Sequence, residues 1–279
     1  MNNFLSLLLA VVILPAVPGV YPSTAPQPQS QSAPAVKPPP QARSHAEYQD
    51  YNTAYATTGG AAMEKAANDF AAKYPASELR PYLYAKAMHE YQNENQPAKM
   101  LAMGEKVLAL DPDNTVALVL TATVLSDQLS DTDADRQQKI SEIKKNAARA
   151  LDTINTAYVP PANATAEQAA AYKSTLESMA HSALGIMDLK LGDYSGSEKE
   201  LQAAADLGKA QPDPYIWYHL ALSQDHQNKY VQALSSVNQA LRYTRPGSDL
   251  ETLARGERDR LMKLTGAEQG QPNSSQPPH

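Results

Sequence analysis

The feature that most constrains this chain is a repeat. Trp217 lies 36 residues after His181, and Tyr230 lies 36 residues after Tyr194. A period of this size means that one supersecondary unit recurs. A unit so short cannot bury its apolar side alone and must stack on its neighbours. Breakers divide the body of the chain: Gly59-Gly60, Pro75, Asn95 to Pro97, Pro112, Pro160-Pro161, Gly192, Pro212 and Pro214, Asn228, and Pro246-Gly247. The segments between them run mostly ~11–18 residues, the length of ordinary helices. No stretch alternates with period two for long enough to form a strand. Ala, Leu, Gln, Glu and Lys are abundant and only two Phe occur, a palette that favours helix.

The clearest unit is Tyr215 to Gly247. Trp217, Leu220 and Ala221 share one helical face; after a turn at Asn228, Tyr230, Ala233, Val237, Ala240 and Leu241 share a second. The preceding unit places His181, Leu184 and Gly185 on its first helix, turns at Gly192 and Tyr194, and places Leu201, Ala204 and Ala205 on its second. These residues resemble the tetratricopeptide repeat, whose first helix carries a large residue, Leu and a small residue. Its second helix carries an aromatic and two alanines before a proline. The spacing is close to that family's period of about 34. Residues 81–112 match more loosely: Tyr84, Tyr91, Val107, Leu108 and Asp111-Pro112 fit, Ala87 and Met88 replace the Leu-small pair, and Gly104 stands where an aromatic is usual. Residues 44–75 match through Ala67, Phe70, Ala71 and Pro75. There the string NDFAAKYPASE resembles the repeat endings of periplasmic members such as the Tol-Pal coordinator family. Residues 113–154 read as a unit with a stretched turn over 126–138, and residues 249–264 as a capping helix. Ala221, Gly185, Ala233 and Ala240 are the small residues expected to let helices approach closely.

The resemblance implies an all-α fold, a right-handed superhelix of stacked antiparallel hairpins. About five hairpins and a cap are expected over residues 44–265, as in bacterial envelope members of the family. Residues 4–17 form an uncharged apolar run that is short for a membrane span and suits the core of a signal peptide, although no Lys or Arg precedes it. Residues 1–20 are therefore expected to be a cleaved signal or an uncleaved anchor. Residues 21–43 are rich in Pro, Gln and Ser and read as an extended spacer. The polar tail 266–279 is expected to be disordered. Together these features predict a periplasmic or secreted protein, with a membrane tether if the N-terminal segment is retained.

The net charge is −6 and the first 36 residues carry no charged side chain. A mildly acidic body without a basic stripe argues against nucleic acid and against docking on anionic lipid. With no cysteine, disulfides, thiolate metal sites and thiol nucleophiles are excluded. Asp131, Asp133, Asp135 and Glu142 have the oxygen spacing of a calcium-binding loop, but Arg136 stands where such a loop needs Gly and Gln138 where an apolar residue is usual. The departures favour a solvated acidic turn that N-caps the next helix. His89-Glu90 lacks the second His of a zinc motif, His219 and His226 form a weak pair on one helix, and His181 occupies a packing position. Asn163 and Asn273 begin glycosylation sequons by form alone. No nucleophile elbow, phosphate loop or paired-carboxylate site is present, so neither an enzyme nor a bound cofactor is expected.

In the tetratricopeptide family the first helix of each hairpin lines a concave groove. The matching positions here include Tyr82, Ala85, His89 and Gln92; Met179, Ser182, Ile186 and Leu189; and Tyr215, Tyr218, Leu222 and Asp225. The candidate partner-binding residues are Tyr82, His89, Met179, Ile186, Tyr215, Tyr218 and Leu222. The basic clamp that some members use for a terminal carboxylate is absent at these positions. A tyrosine- and methionine-rich lining suits an apolar or extended peptide segment. The function expected is a protein-interaction scaffold of the cell envelope. The alternative is an accessory subunit of a division, secretion or outer-membrane assembly machine that binds through outer or terminal surfaces.

Overall fold

A computed structural model describes residues 40–160 and 164–266. The expectations for the signal or anchor segment, for most of the spacer, for both sequons and for the tail lie outside these residues. Eleven α-helices and no strand occur among the described residues: α1 (His45–Tyr55), α2 (Gly60–Lys73), α3 (Arg80–Asn93), α4 (Pro97–Leu110), α5 (Thr115–Gln128), α6 (Arg136–Ala157), α7 (Ala166–Leu191), α8 (Tyr194–Leu207), α9 (Pro214–Asp225), α10 (Tyr230–Tyr243) and α11 (Asp249–Thr265). Consecutive helices pair as hairpins, so the fold is all-α and built of repeated helical hairpins. The chain divides into two compact units between Ala183 and Leu184, inside α7.

The breakers act through backbone geometry. Gly59, Gly192, Gly247 and Gly266 adopt positive φ at helix boundaries, as do Asn95 (54°) and Asn228 (60°). Asn tolerates this left-handed conformation better than most residues because its short amide can bond locally. Pro81, Pro97 and Pro214 stand in the first turn of α3, α4 and α9, where a missing N–H costs nothing. Two helices exceed the expected length: α6 has 22 residues and α7 has 26. No Gly or Pro interrupts residues 164–184, so α7 runs on through an alanine-rich stretch before reaching the repeat-like His181.

In the first unit, α1 to α6 pack each against the next, and α1 also touches α3. Its interior holds Tyr51, Met63, Phe70, Leu83, Met88, Met100, Val107, Leu118 and Ile143. Gly104, the departure from the aromatic pattern, is required by close packing. A Cβ there would lie 2.7 Å from Thr121 Oγ1 on α5 and 3.2 Å from Met88 Cε on α3. Gly60 is equally tight, since a Cβ would lie 2.3 Å from the Tyr91 ring. The start of α2 is capped from α3: Gly59 N–H donates to Glu90 Oε2 (3.0 Å) and Gly60 N–H to Glu94 Oε1 (2.6 Å). Carboxylates at a helix N-terminus satisfy orphan donors and oppose the helix dipole.

The acidic turn before α6 is neutralised from within. Asp131 pairs with Arg136 (2.9 Å), and Lys139 pairs with both Asp133 (2.9 Å) and Asp135 (3.2 Å). Asp135 occupies the N-cap position of α6, but its side chain makes no capping hydrogen bond. The expected N-cap is therefore replaced by an ion pair with Lys139, one turn into the helix. No group of three or more His, Cys, Asp or Glu among the described residues is arranged to hold a metal.

The second unit is built on α8 to α11 and the end of α7. Ile186, Leu201, Ala204, Ala205, Ile216 and Leu220 form one buried cluster, with Tyr215 and Trp217 packed against it. Ala221, Ala233, Val237, Ala254 and Leu261 form another, with Tyr218, Tyr230, Leu234 and Leu241 at its margin. The small residues act as expected: Ala221, Ala233 and Ala240 are wholly buried, and a Cβ on Gly185 would lie 2.6 Å from Leu201 Cγ. The buried Ser197 hydroxyl donates to the Gly185 carbonyl (2.7 Å) and lies 2.6 Å from Ser223 Oγ. The close approach at Gly185 thus also carries a polar contact between α7 and α8.

Candidate binding faces

The first unit presents tyrosines where α1 meets α3. Tyr51 is fully buried and Tyr55 lies beside it, with ring centroids 5.7 Å apart. Tyr48, Tyr55 and Tyr82 are half-buried. Their hydroxyls are near enough to Tyr51 to act on its ionisation, and burial with this company pushes the Tyr51 phenol well above its usual range. Burial, reinforced by Glu90, pushes Tyr55 up to about 12. Burial, reinforced by Asp111 and Glu78, pushes Tyr82 up to about 12. These phenols stay neutral donors at any physiological pH.

Lys86 lies 5.5 Å from the centre of the Tyr55 ring and pairs with Glu90 at 2.7 Å. Burial acts to raise the Glu90 carboxyl, but Lys86 and the Gly59 N–H outweigh it and hold Glu90 below its ordinary value. His89, on the same helix, has Nδ1 3.2 Å from Gln92 Oε1. Tyr82 and His89 are therefore both half-exposed on α3. Met179, on α7, is only 8% exposed.

The second unit presents α9. Tyr215, Tyr218, His219 and Leu222 are half-buried along it. Asp213 caps the helix by accepting from the Tyr215 N–H at 2.8 Å, and burial raises its carboxyl above the ordinary range. His219 sits between two rings, 4.1 Å from Tyr215 and 5.5 Å from Tyr218 by centroid. Its Nδ1 lies 2.8 Å from the Tyr215 carbonyl, a contact that requires the proton on Nδ1. Burial pushes His219 down to about 4, with Lys190 adding to the effect and the Tyr215 carbonyl opposing it. At the far end of α9, Asp225 accepts from Arg260 of α11 (2.5 Å), which also pairs with Glu257 (2.8 Å). Burial, with Glu257 nearby, raises the Tyr218 phenol.

Two of the sequence-derived residues do not present a surface. Ile186 is 1% exposed and belongs to the cluster with Leu201 and Leu220, and Met179 is buried in the first unit. Both were placed by family register. Here packing takes both positions of α7. Tyr82 and His89 share α3, and Tyr215, Tyr218 and Leu222 share α9. Residue-level reading overlooked Tyr48, Tyr55 and Lys86. The signal was available, since Tyr48, Tyr51 and Tyr55 recur at helical spacing, but residues 44–75 fit the repeat only at their end. It also overlooked His219 as a packed ring and Glu257 and Arg260 as partners of α9. His226 caps α9 and stacks on Tyr194, with ring centroids 4.3 Å apart, so the two histidines do not act as a pair.

No protein-family model and no curated protein sequence matches the chain. Among solved structures, one described as "MamA RS-1 ArsTM double mutant" is 13% identical with a TM-score of 0.38, covering 68% of this chain and 97% of that one. The fold assignment accordingly rests on the hairpins themselves. No helix among the described residues is long and apolar enough to cross a membrane.

Proposed function

We propose that the chain is a protein-interaction scaffold of the cell envelope that takes a protein or extended peptide segment on tyrosine-rich helical faces. The observation that carries this reading is the placement of half-buried tyrosines on α1, α3 and α9, with Tyr215 and Tyr218 of α9 packed against buried clusters. Rigid aromatics offer large contact area, and a phenol hydroxyl to bond backbone groups, at low cost in conformational entropy. Extended segments are bound in this way by apolar contact with a few directed hydrogen bonds. The uncharged run at residues 4–17 and the proline-rich stretch behind it support an envelope location, with a tether through the N-terminus. The net charge of −6 supports a protein partner over nucleic acid.

The test is a pull-down from an envelope fraction with the full chain and with Tyr82→Ala and Tyr218→Ala, each checked for retained helicity. Loss of a specific partner in either variant is expected. An unchanged partner list from folded variants would sink the reading. A second reading, an accessory subunit of an envelope machine bound through outer or terminal surfaces, is favoured by exposed apolar residues in the second unit. Val231 is 72% and Tyr243 42% exposed on α10, and Leu253 and Leu264 are 44% and 50% exposed on α11. Val231→Lys together with Leu253→Lys separates the two, since it should release a partner held there and leave one held by α3 or α9.

A further inference from the structure

We infer that α11 pairs antiparallel with α11 of a second copy of this chain, about a two-fold axis that passes between Arg258 and Asp259. The pairing does not rest on the tyrosine faces; it gives the exposed leucines of α11 an occupant. Among the described residues, the exposed large hydrophobic side chains Val231, Tyr243, Leu253 and Leu264 all lie on α10 and α11. α11 is the last described helix of a stack in which each helix rests on its neighbours. Such a stack stays soluble when its terminal helix is polar outside, so leucines 44% and 50% exposed there mark a contact. The face is continuous. Leu253, Gly256, Arg260 and Leu264 fall at i, i+3, i+7 and i+11, along one side of the helix. The other side, with Leu250, Ala254 and Leu261, is buried in the chain's own core.

Self-complementarity selects the occupant. The midpoint between Leu253 and Leu264 is also the midpoint between Glu257 and Arg260, and it lies between Arg258 and Asp259. A two-fold axis there sets Leu253 of each copy opposite Leu264 of the other, and Glu257 opposite Arg260. Apolar then meets apolar, and unlike charges face each other. A parallel pair would set Arg260 against Arg260 and Glu257 against Glu257, so charge fixes the orientation. Arg260 is already held by Asp225 (2.5 Å) and Glu257 (2.8 Å) of its own chain, and its side chain stays half-exposed. It meets the second copy without breaking either pair. Gly256 agrees. A Cβ there would meet nothing within 4 Å, so packing within the chain does not require glycine. Glycine weakens a helix interior, but its bare backbone lets a second helix come close. The two leucines stand about 16 Å apart along the axis, at about 1.5 Å per residue. One helix per copy makes a small interface, so the pair is weak and concentration-dependent.

The test uses the full chain, which has no cysteine of its own. Sedimentation velocity at rising concentration is expected to show monomer passing to dimer. Leu253→Lys is expected to leave a monomer at every concentration with helicity unchanged, and so is Leu264→Glu. Mixing these two variants is expected to restore a dimer, because one Lys–Glu pair and one Leu–Leu pair then form across the axis. Orientation is read by oxidising Leu253→Cys and Leu264→Cys chains separately and together. A disulfide is expected chiefly in the mixture, since each position faces the other one. A wild-type chain that stays monomeric, a dimer indifferent to Leu253→Lys, or disulfides formed equally well between like positions would each overturn the inference. The pull-downs remain independent. If the wild-type chain is monomeric while Val231→Lys with Leu253→Lys loses an envelope partner, that partner owns the face, the pairing fails and the second reading stands. If the dimer forms while Tyr82→Ala and Tyr218→Ala keep every partner, the pairing holds and the tyrosine-face reading alone is lost.

Discussion

At the scale of single residues, two positions show how small changes propagate. Gly185 has no room for a methyl group, because Leu201 would lie 2.6 Å from it. Gly185→Ala is expected to destabilise the second unit by about 1–3 kcal/mol, the usual cost of overfilling a packed site. Denaturant unfolding followed by Trp217 fluorescence measures this, since Trp217 is the single tryptophan and packs on the same cluster. Leu201→Ala in the Gly185→Ala background should cost less than the two changes summed, because the second opens the space the first needs. His219 gives a pH dependence. Its folded value of about 4 lies below the ordinary 6.5, so the unfolded chain takes up a proton first as pH falls. Stability from this group is complete above pH 6.5, falls between 6.5 and about 4, and is lost below that. The full loss is at most roughly 3–4 kcal/mol, at about 1.4 kcal/mol per unit. His219→Phe is expected to flatten the stability–pH curve in that window. An unchanged slope would mean the ring is already solvated.

Helices and turns carry predictions of their own. The start of α2 depends on carboxylates from α3, with Glu90 and Glu94 accepting from the Gly59 and Gly60 N–H groups. Glu90→Ala is expected to cost about 1–2 kcal/mol through the lost cap and the Lys86 ammonium left half-buried beside Tyr55. Hydrogen exchange should quicken at the first turn of α2 before it changes elsewhere. The turn before α6 should ignore calcium, because Arg136 and Lys139 already pair with Asp131, Asp133 and Asp135. Millimolar calcium is expected to leave the melting temperature unchanged, and a rise would show that the ion displaces Lys139. Several helix starts were readable in sequence and went unread. Ser44 and Glu47 lie three apart, Thr165 and Gln168 lie three apart, and the second pair caps reciprocally through both N–H groups. Ser248 and Glu251 also lie three apart at α11, where the Glu251 N–H donates to Ser248 Oγ and its carboxylate accepts from the Gly247 N–H.

At the scale of the whole molecule, repeated hairpins make stability local, since each helix rests mainly on its neighbours. Leu83→Ala, in the core of the first unit, is expected to cost about 2–5 kcal/mol. It should move the circular-dichroism transition while leaving the Trp217 transition of the second unit nearly in place. Coincident shifts would show that the two units unfold as one. The breakers and the 36-residue spacing were enough to establish helices, their order and their pairing into hairpins, because proline and positive-φ residues act on the backbone wherever they occur. The exposed or buried state of a helical residue depends on what the next hairpin places against it, and no local pattern encodes that. Ile186 and Leu222 are equivalent by register, 36 residues apart, yet Leu201 and Leu220 enclose the first while the second stays half-buried. Gly104 looked like a flaw in the repeat until Met88 and Thr121 closed on it from two other helices. The 36-residue repeat thus determined that this chain folds as stacked hairpins. Which tyrosines stay partly exposed was decided only by tertiary packing, where side chains from distant segments compete for the same volume.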